Sequence, residues 1–129
     1  MSKILNWVKA NVPSFSNVPH SRGVYVIACR CTDGSSIVVY TGQSSDLNRR
    51  LNEHWSSSES NNDLKKAISN YPWAFQAYFA LIEDARCLDG CERRLFDYYN
   101  PQLTDRAPDV SPIDCSLPPN VIKGHVNFK

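Results

Sequence analysis

Two apolar runs joined by an Asp-Gly pair constrain this chain more than any other feature. Residues 23–31 (GVYVIACRC) are rich in β-branched and aromatic side chains and predict a strand. Residues 37–41 (IVVYT) predict a second. Between them lies Thr32-Asp33-Gly34-Ser35-Ser36, and Asp-Gly suits the positive backbone angles of a tight hairpin. The two strands therefore pair antiparallel, and the rest of the chain must pack against a hairpin. Each strand carries one tyrosine, Tyr25 on the first and Tyr40 on the second.

Gly42-Gln43-Ser44-Ser45 turns the chain out of the hairpin, and Ser45 or Asp46 can cap a helix running to about residue 55. Leu47 and Leu51, four apart, face the core; Arg50 and His54, also four apart, form a neighbouring stripe that can look back over the hairpin. Residues 56–62 (SSSESNN) are polar, of low complexity and expected to be mobile. A second short helix is expected at about residues 63–70, ended by Tyr71-Pro72. Residues 75–83 (FQAYFALIE) predict a buried third strand, with a helix as the competing reading. Residues 88–99 predict a third helix with Leu88, Cys91, Leu95 and Tyr98 or Tyr99 inward, closed by Asn100-Pro101.

At the start, Ile4, Leu5, Trp7 and Val8 among polar residues predict a short amphipathic helix over residues 2–10. Residues 104–129 contain four prolines and show no periodicity, so they predict an irregular wrap or a partner-binding arm. The expected fold class is α+β, a small three-stranded antiparallel sheet flanked by helices in the order β-β-α-α-β-α. The expected division is an N-terminal helix and lead-in (1–21), a main domain (22–103) and a Pro-rich tail (104–129).

A length of 129 residues allows one domain with a real core. The formal net charge of +1 is not that of a protein holding nucleic acid by overall charge, so any basic surface is local, or affinity comes from a partner or a second copy. No apolar run approaches the roughly 18 residues of a membrane span. The opening Met1-Ser2-Lys3-Ile4-Leu5-Asn6-Trp7 lacks the long apolar stretch of a secretory signal. A cytoplasmic protein is expected, with nucleoid or nucleus as alternatives. Cys29, Cys31, Cys87 and Cys91 could in principle assemble tetrahedral zinc. Their spacing is not a usual zinc pattern, and small buried thiols are the preferred reading.

With the motifs set out, the chain resembles the GIY-YIG nuclease superfamily. Gly23-Val24-Tyr25 resembles its first signature triplet and Tyr40-Thr41-Gly42 its second. Asp46-Leu47, Arg50-Leu51 and His54 resemble the helix after the second triplet, with the arginine ten residues after the tyrosine. Glu92, then Leu95-Phe96 and Asn100-Pro101, resembles the last helix, where one glutamate precedes an apolar pair. The resemblance spans about residues 22–103. The linker between the triplets is longer than usual, Thr41 replaces Ile or Val, Gln43 stands where Lys or Ser is frequent, and Thr104-Asp105 stands where many members have Asn.

The resemblance implies a metal-dependent endonuclease hydrolysing phosphodiester bonds in DNA, with one Mg²⁺ for which Mn²⁺ can substitute. Glu92 would be the metal ligand, an oxygen donor suited to Mg²⁺. Arg50 would hold phosphate oxygens as charge builds. Tyr40 would be the general base, its pKa lowered by Arg50 and the metal, and Tyr25 would orient it or the water. His54 would accept or shuttle a proton and could exchange roles with Tyr40. Gly42, Gln43 and Arg49 are assigned to substrate binding. Singly, each side chain has an ordinary explanation in packing or solvation; together, in order, they carry the reading. A homodimer or a separate DNA-targeting partner would supply sequence preference, and no membrane is involved. The alternative is a catalytically inactive nucleic-acid-binding or interaction module on the same fold.

Overall fold

The structure, a computed structural model, describes residues 3–128, so the ends of the expected first and last segments, residues 1, 2 and 129, lie outside the described residues. The hairpin forms where the sequence places it, as β2 (Gly23–Arg30) and β3 (Ser36–Ser44). Gly34 takes a φ of 91° at the tip, a left-handed conformation that glycine adopts without strain. Asp33 Oδ1 accepts the Ser35 N–H at 2.9 Å and closes the turn.

Pairing runs from Gly23↔Ser44 to Arg30↔Ser36 with one bulge. Ile27 pairs with Tyr40 but Ala28 with Val38, which leaves Val39 as an extra residue. Counted back from the tip without a bulge, Val39 would pair with Ile27 and Tyr40 would lie opposite Val26, on the face away from Tyr25. With it, Tyr40 lies opposite Ile27 and shares a face with Tyr25.

Among the described residues the sheet has four strands, one more than expected, in the order β1 (Val8–Lys9), β4 (Phe75–Leu81), β2 and β3. Residues 75–83 resolve as a strand, β4 (Phe75–Leu81), antiparallel to β2 on its other side. The fourth strand, β1 (Val8–Lys9), replaces the helix expected over residues 2–10 and pairs with β4 at Val8↔Phe79 and Lys9↔Tyr78. Leu5 is buried while Ile4 is 88% exposed, an alternation of period two. An open edge on β4 and the C-terminal tail offer this segment backbone partners that a two-turn helix would have to find within itself. Lys3 pairs with Cys115, and the Leu5 N–H donates to Ser116 Oγ at 2.8 Å.

Helices cover both faces of the sheet. α1 (Leu47–His54) and α2 (Asn62–Asn70) bury Leu47, Leu51, Leu64 and Ile68 against Tyr25, Ile27, Val39, Ala77 and Phe79. α3 (Leu88–Tyr99) buries Cys91, Leu95 and Tyr99 against Val24, Val26, Val38 and Ala80 on the opposite face. Strand β2 is thus sandwiched, which explains its unbroken apolar run. The sheet also separates the cysteines: Cys29 lies in one core, Cys91 and Cys115 in the other, and all five are free. No group of three or more metal-ligating side chains occurs among the described residues, and the zinc arrangement is not formed.

The tail wraps rather than dangles. Val38 N–H donates to Ile122 O at 3.0 Å, and Ile122 N–H donates to Ser36 O at 2.9 Å, so the tail covers the outer edge of β3. The serine-rich stretch also differs from the expectation of mobility. Asn61 caps α2 by accepting the Leu64 N–H at 3.1 Å, and Glu59 is 3% exposed. No described helix is long and apolar enough to cross a membrane.

Candidate active site

Helix α1 aims two of the expected site residues. Asp46 caps it by accepting the Arg49 N–H at 3.0 Å, and Leu47 and Leu51 seat one face in the core. The adjoining stripe then carries Arg50 and His54 over the hairpin. His54 is 1% exposed, and its Nε2 lies 2.7 Å from the hydroxyl of Tyr25, itself 1% exposed. Gly42 sits opposite Tyr25 in the register, and a Cβ there would fall 2.5 Å from the Tyr25 hydroxyl. The glycine of the second triplet therefore makes room for the tyrosine of the first.

Behind His54 stands Glu59. Its carboxylate makes a close, bent contact with His54 Nδ1, which has no other partner. It also accepts the Asn61 N–H at 2.9 Å and faces Arg50 Nη1 at 3.5 Å. Burial raises the Glu59 pKa, but the contacts from His54, Asn61 and Arg50 outweigh it and hold the carboxyl at about 2. His54 shifts down, because burial disfavours the imidazolium more than Glu59 favours it. The pair is thus a neutral imidazole against an ionised carboxylate.

Tyr40 stacks on Tyr25 with ring centroids 6.1 Å apart and meets the His54 ring edge-on at 4.8 Å. It is only partly buried, whereas Tyr25 and His54 are closed off. The expectation that Arg50 depresses Tyr40 is corrected in one respect. Burial raises its pKa and wins, although Arg50 pulls it down through charge and a hydrogen bond. Arg50 itself is stripped of some water, but Tyr25, Tyr40 and Glu59 around it raise its pKa further, so it is a permanent cation. The Tyr25 phenol is pushed well up, first by burial and then by Tyr40.

Glu92 projects from α3 and is 8% exposed. Burial pushes its pKa up to about 7, with a hydrogen bond from Gln43 lowering it and the nearby Asp89 raising it. Gln43 also donates from Nε2 to Asp89 Oδ1, so it bridges the two carboxylates. By strand alternation Gln43 points to the α3 face while Tyr40 and Gly42 point to the α1 face. The site therefore straddles β3, the edge strand of the sheet. The two halves meet electrostatically at Tyr25, on which Tyr40, Arg50 and Glu92 all act.

Of the expected residues, Tyr25, Tyr40, Arg50 and His54 form one contacting cluster, whereas Glu92 lies with Gln43 on the α3 side of the sheet and acts on the cluster through its charge on Tyr25. Arg49 lies apart, exposed and paired with Glu53 at 2.8 Å on the solvent side of α1. Two residues were not anticipated. Thr104 Oγ1 accepts the Thr41 N–H at 2.9 Å and so holds the second triplet, close to where an asparagine was missed. Glu59 is the other; its signal was a lone charge in an otherwise uncharged run.

The model of the GIY-YIG catalytic domain matches residues 21–105. Among curated protein sequences none matches this chain. Among solved structures the chain is similar to the GIY-YIG N-terminal endonuclease domain of UvrC from Thermotoga maritima, seen in point variants bound to a catalytic divalent cation. An asparagine-to-alanine variant matches at 18% identity and a tyrosine-to-phenylalanine variant at 17%, each with a TM-score of 0.51. Each match covers 69% of this chain and 88% of that one, a likeness of fold. With a family model spanning most of its length, the chain belongs to the GIY-YIG nuclease superfamily.

Proposed function

We propose that this chain is a divalent-metal-dependent endonuclease that hydrolyses phosphodiester bonds in DNA, with Glu92 as the protein's ligand to the metal. One observation carries the reading. Glu92 is a buried carboxylate with no ion-pair partner among the described residues and a second carboxylate nearby. A buried anion without a counterion is costly. An oxygen ligand with few protein neighbours suits Mg²⁺, which keeps several of its waters, and Mn²⁺ can substitute. The UvrC domains, solved bound to a catalytic divalent cation, support the dependence on a divalent metal. When bound, the cation would draw charge from the phosphate and shield the leaving oxygen.

The chain's own residues divide the remaining work. Arg50 holds the non-bridging oxygens as negative charge grows. Tyr40 accepts the proton of the attacking water, whose oxygen bonds to phosphorus as the bond to the leaving sugar oxygen breaks. Tyr40 is favoured over His54 because its ring reaches the surface, while both His54 nitrogens are engaged inside. To act so, Tyr40 must first be ionised, and Arg50 beside it is the residue that lowers the cost. Tyr25 orients the reacting groups, Gly42 gives it room, Gln43 steadies Glu92, and Arg49 contacts a flanking phosphate. With a net charge of +1, targeting to particular DNA falls to a second copy or a separate chain.

The test is cleavage of supercoiled plasmid with Mg²⁺. Wild type is expected to nick or cut, and Glu92→Ala to lose at least about a thousandfold of the rate with an unchanged circular dichroism spectrum. Arg50→Ala is expected to lose about a hundredfold or more. Clean wild-type protein that is inert on duplex, branched and single-stranded DNA and on RNA would instead support a binding module.

A further inference from the structure

We propose that Glu59 is a positioning residue for this site: it keeps the single ring proton of His54 on Nδ1, so that Nε2 accepts from the Tyr25 hydroxyl and the oxygen of Tyr25 is presented to the reacting groups as an acceptor. The inference rests on the nuclease reading for its functional consequence and on geometry alone for the arrangement itself.

A neutral imidazole has one N–H and one lone pair, and burial leaves nothing outside to choose between them. Nδ1 faces the Glu59 carboxylate and no other partner, and an ionised carboxylate only accepts. A lone pair on Nδ1 would face that charge, so the proton belongs there. Nε2 is then the acceptor, and the Tyr25 hydroxyl 2.7 Å away must donate to it. The hydrogen of Tyr25 is thereby turned inward, and its lone pairs are left for Tyr40 or for water. A side chain in the serine-rich stretch thus sets the polarity that a strand tyrosine offers, through a histidine that never meets the substrate.

The same geometry shows how to invert it without changing shape. Glu59 Oε1 accepts from the backbone N–H of Asn61, a donor that cannot turn, while Oε2 faces His54 and, at 3.5 Å, Arg50 Nη1, which also donates to Glu53 Oε1 at 3.2 Å and keeps that partner in Glu59→Gln. In Glu59→Gln the amide oxygen must stay on Asn61, which turns the NH₂ toward His54. His54 can answer only by moving its proton to Nε2. The ring then donates to Tyr25, and the Tyr25 hydrogen swings into the site. Where the histidine is itself the general base, a wrong tautomer costs about ten-thousandfold in rate; here it acts only through Tyr25, and a smaller loss is expected.

The decisive measurement is the ring ¹⁵N spectrum of His54 in the full chain, without metal or DNA, at a pH where the ring is neutral. Wild type is expected to show a protonated Nδ1 and an unprotonated Nε2, Glu59→Gln the reverse, and Glu59→Asp, which keeps an acceptor-only carboxylate, the wild-type pattern. Wild type with its proton on Nε2, or Glu59→Gln with unchanged ring shifts, overturns the proposal, and the wild-type spectrum decides alone where Glu59→Gln fails to fold. In plasmid cleavage, Glu59→Gln is expected to lower kcat with little change in KM. In a Tyr25→Phe background it is expected to cost less than about twofold more, because its effect passes through the missing hydroxyl. Equal losses in both backgrounds would overturn it. A protein with the expected tautomers that cuts nothing would sink the nuclease reading and leave the arrangement standing, whereas an active nuclease with the opposite tautomer would sink this inference alone.

Discussion

The Glu92 carboxyl, pushed up to about 7, holds its proton more tightly in the folded chain than in the unfolded one. Between the ordinary carboxylate value and about 7 the folded state carries the extra proton. This group's contribution therefore favours folding at the acid end of that window and is lost as pH rises through it. Glu92→Gln is expected to stabilise the metal-free protein near pH 8 by about 1–3 kcal/mol, seen as a higher melting temperature. Added Mg²⁺ is expected to raise the melting temperature of wild type and leave Glu92→Gln unmoved. A variant melting below wild type under metal-free conditions would mean that the carboxylate is satisfied by the protein alone. At this scale the five side chains of the site were legible, because residue type and order were enough to propose them. Glu59 was not. Serines and asparagines around it read as solvated chain, and only the arrival of His54 from α1 makes that one charge face inward.

Among the elements, the bulge in β3 matters most. Because Val39 is the unpaired residue, its deletion is expected to close the bulge, leave Tyr40 opposite Ile27 and preserve cleavage, while the loss of the buried Val39 side chain costs about 1–3 kcal/mol of stability. Deleting one residue of the exposed hairpin tip is expected to cost less stability, since no buried side chain goes with it. Plasmid cleavage and thermal melting followed by circular dichroism check this on the two deletions, and a folded Val39 deletion that no longer cuts would refute it. The hairpin and the helices were readable from turn chemistry and apolar spacing. The N-terminal strand was not, because Ile4, Leu5, Trp7 and Val8 fit either period over so short a stretch. A distant partner, the free edge of β4, decides it.

For the whole molecule, the tail is part of the fold. It contributes Cys115 and Val121 to the α3-side core and covers β3 where an open edge would invite other strands. Removing residues 104–129 is expected to lower the melting temperature by about 10 °C or more and to promote aggregation, measured by calorimetry and light scattering. A truncated protein as stable and as soluble as the full chain would show the wrap to be idle. Proline-rich and aperiodic, this segment could be read only as irregular, since its order comes from backbone groups of strands that lie far back in the sequence. That distance has a kinetic side. The hydrogen bond from Leu5 to Ser116 joins residues 111 positions apart, and closing so long a loop forfeits chain entropy before any contact repays it. On a ribosome, the segment leading into the first strand must therefore wait until Ser116 has emerged before its partner exists, and until then Lys3 and Leu5 have backbone groups with nothing to meet.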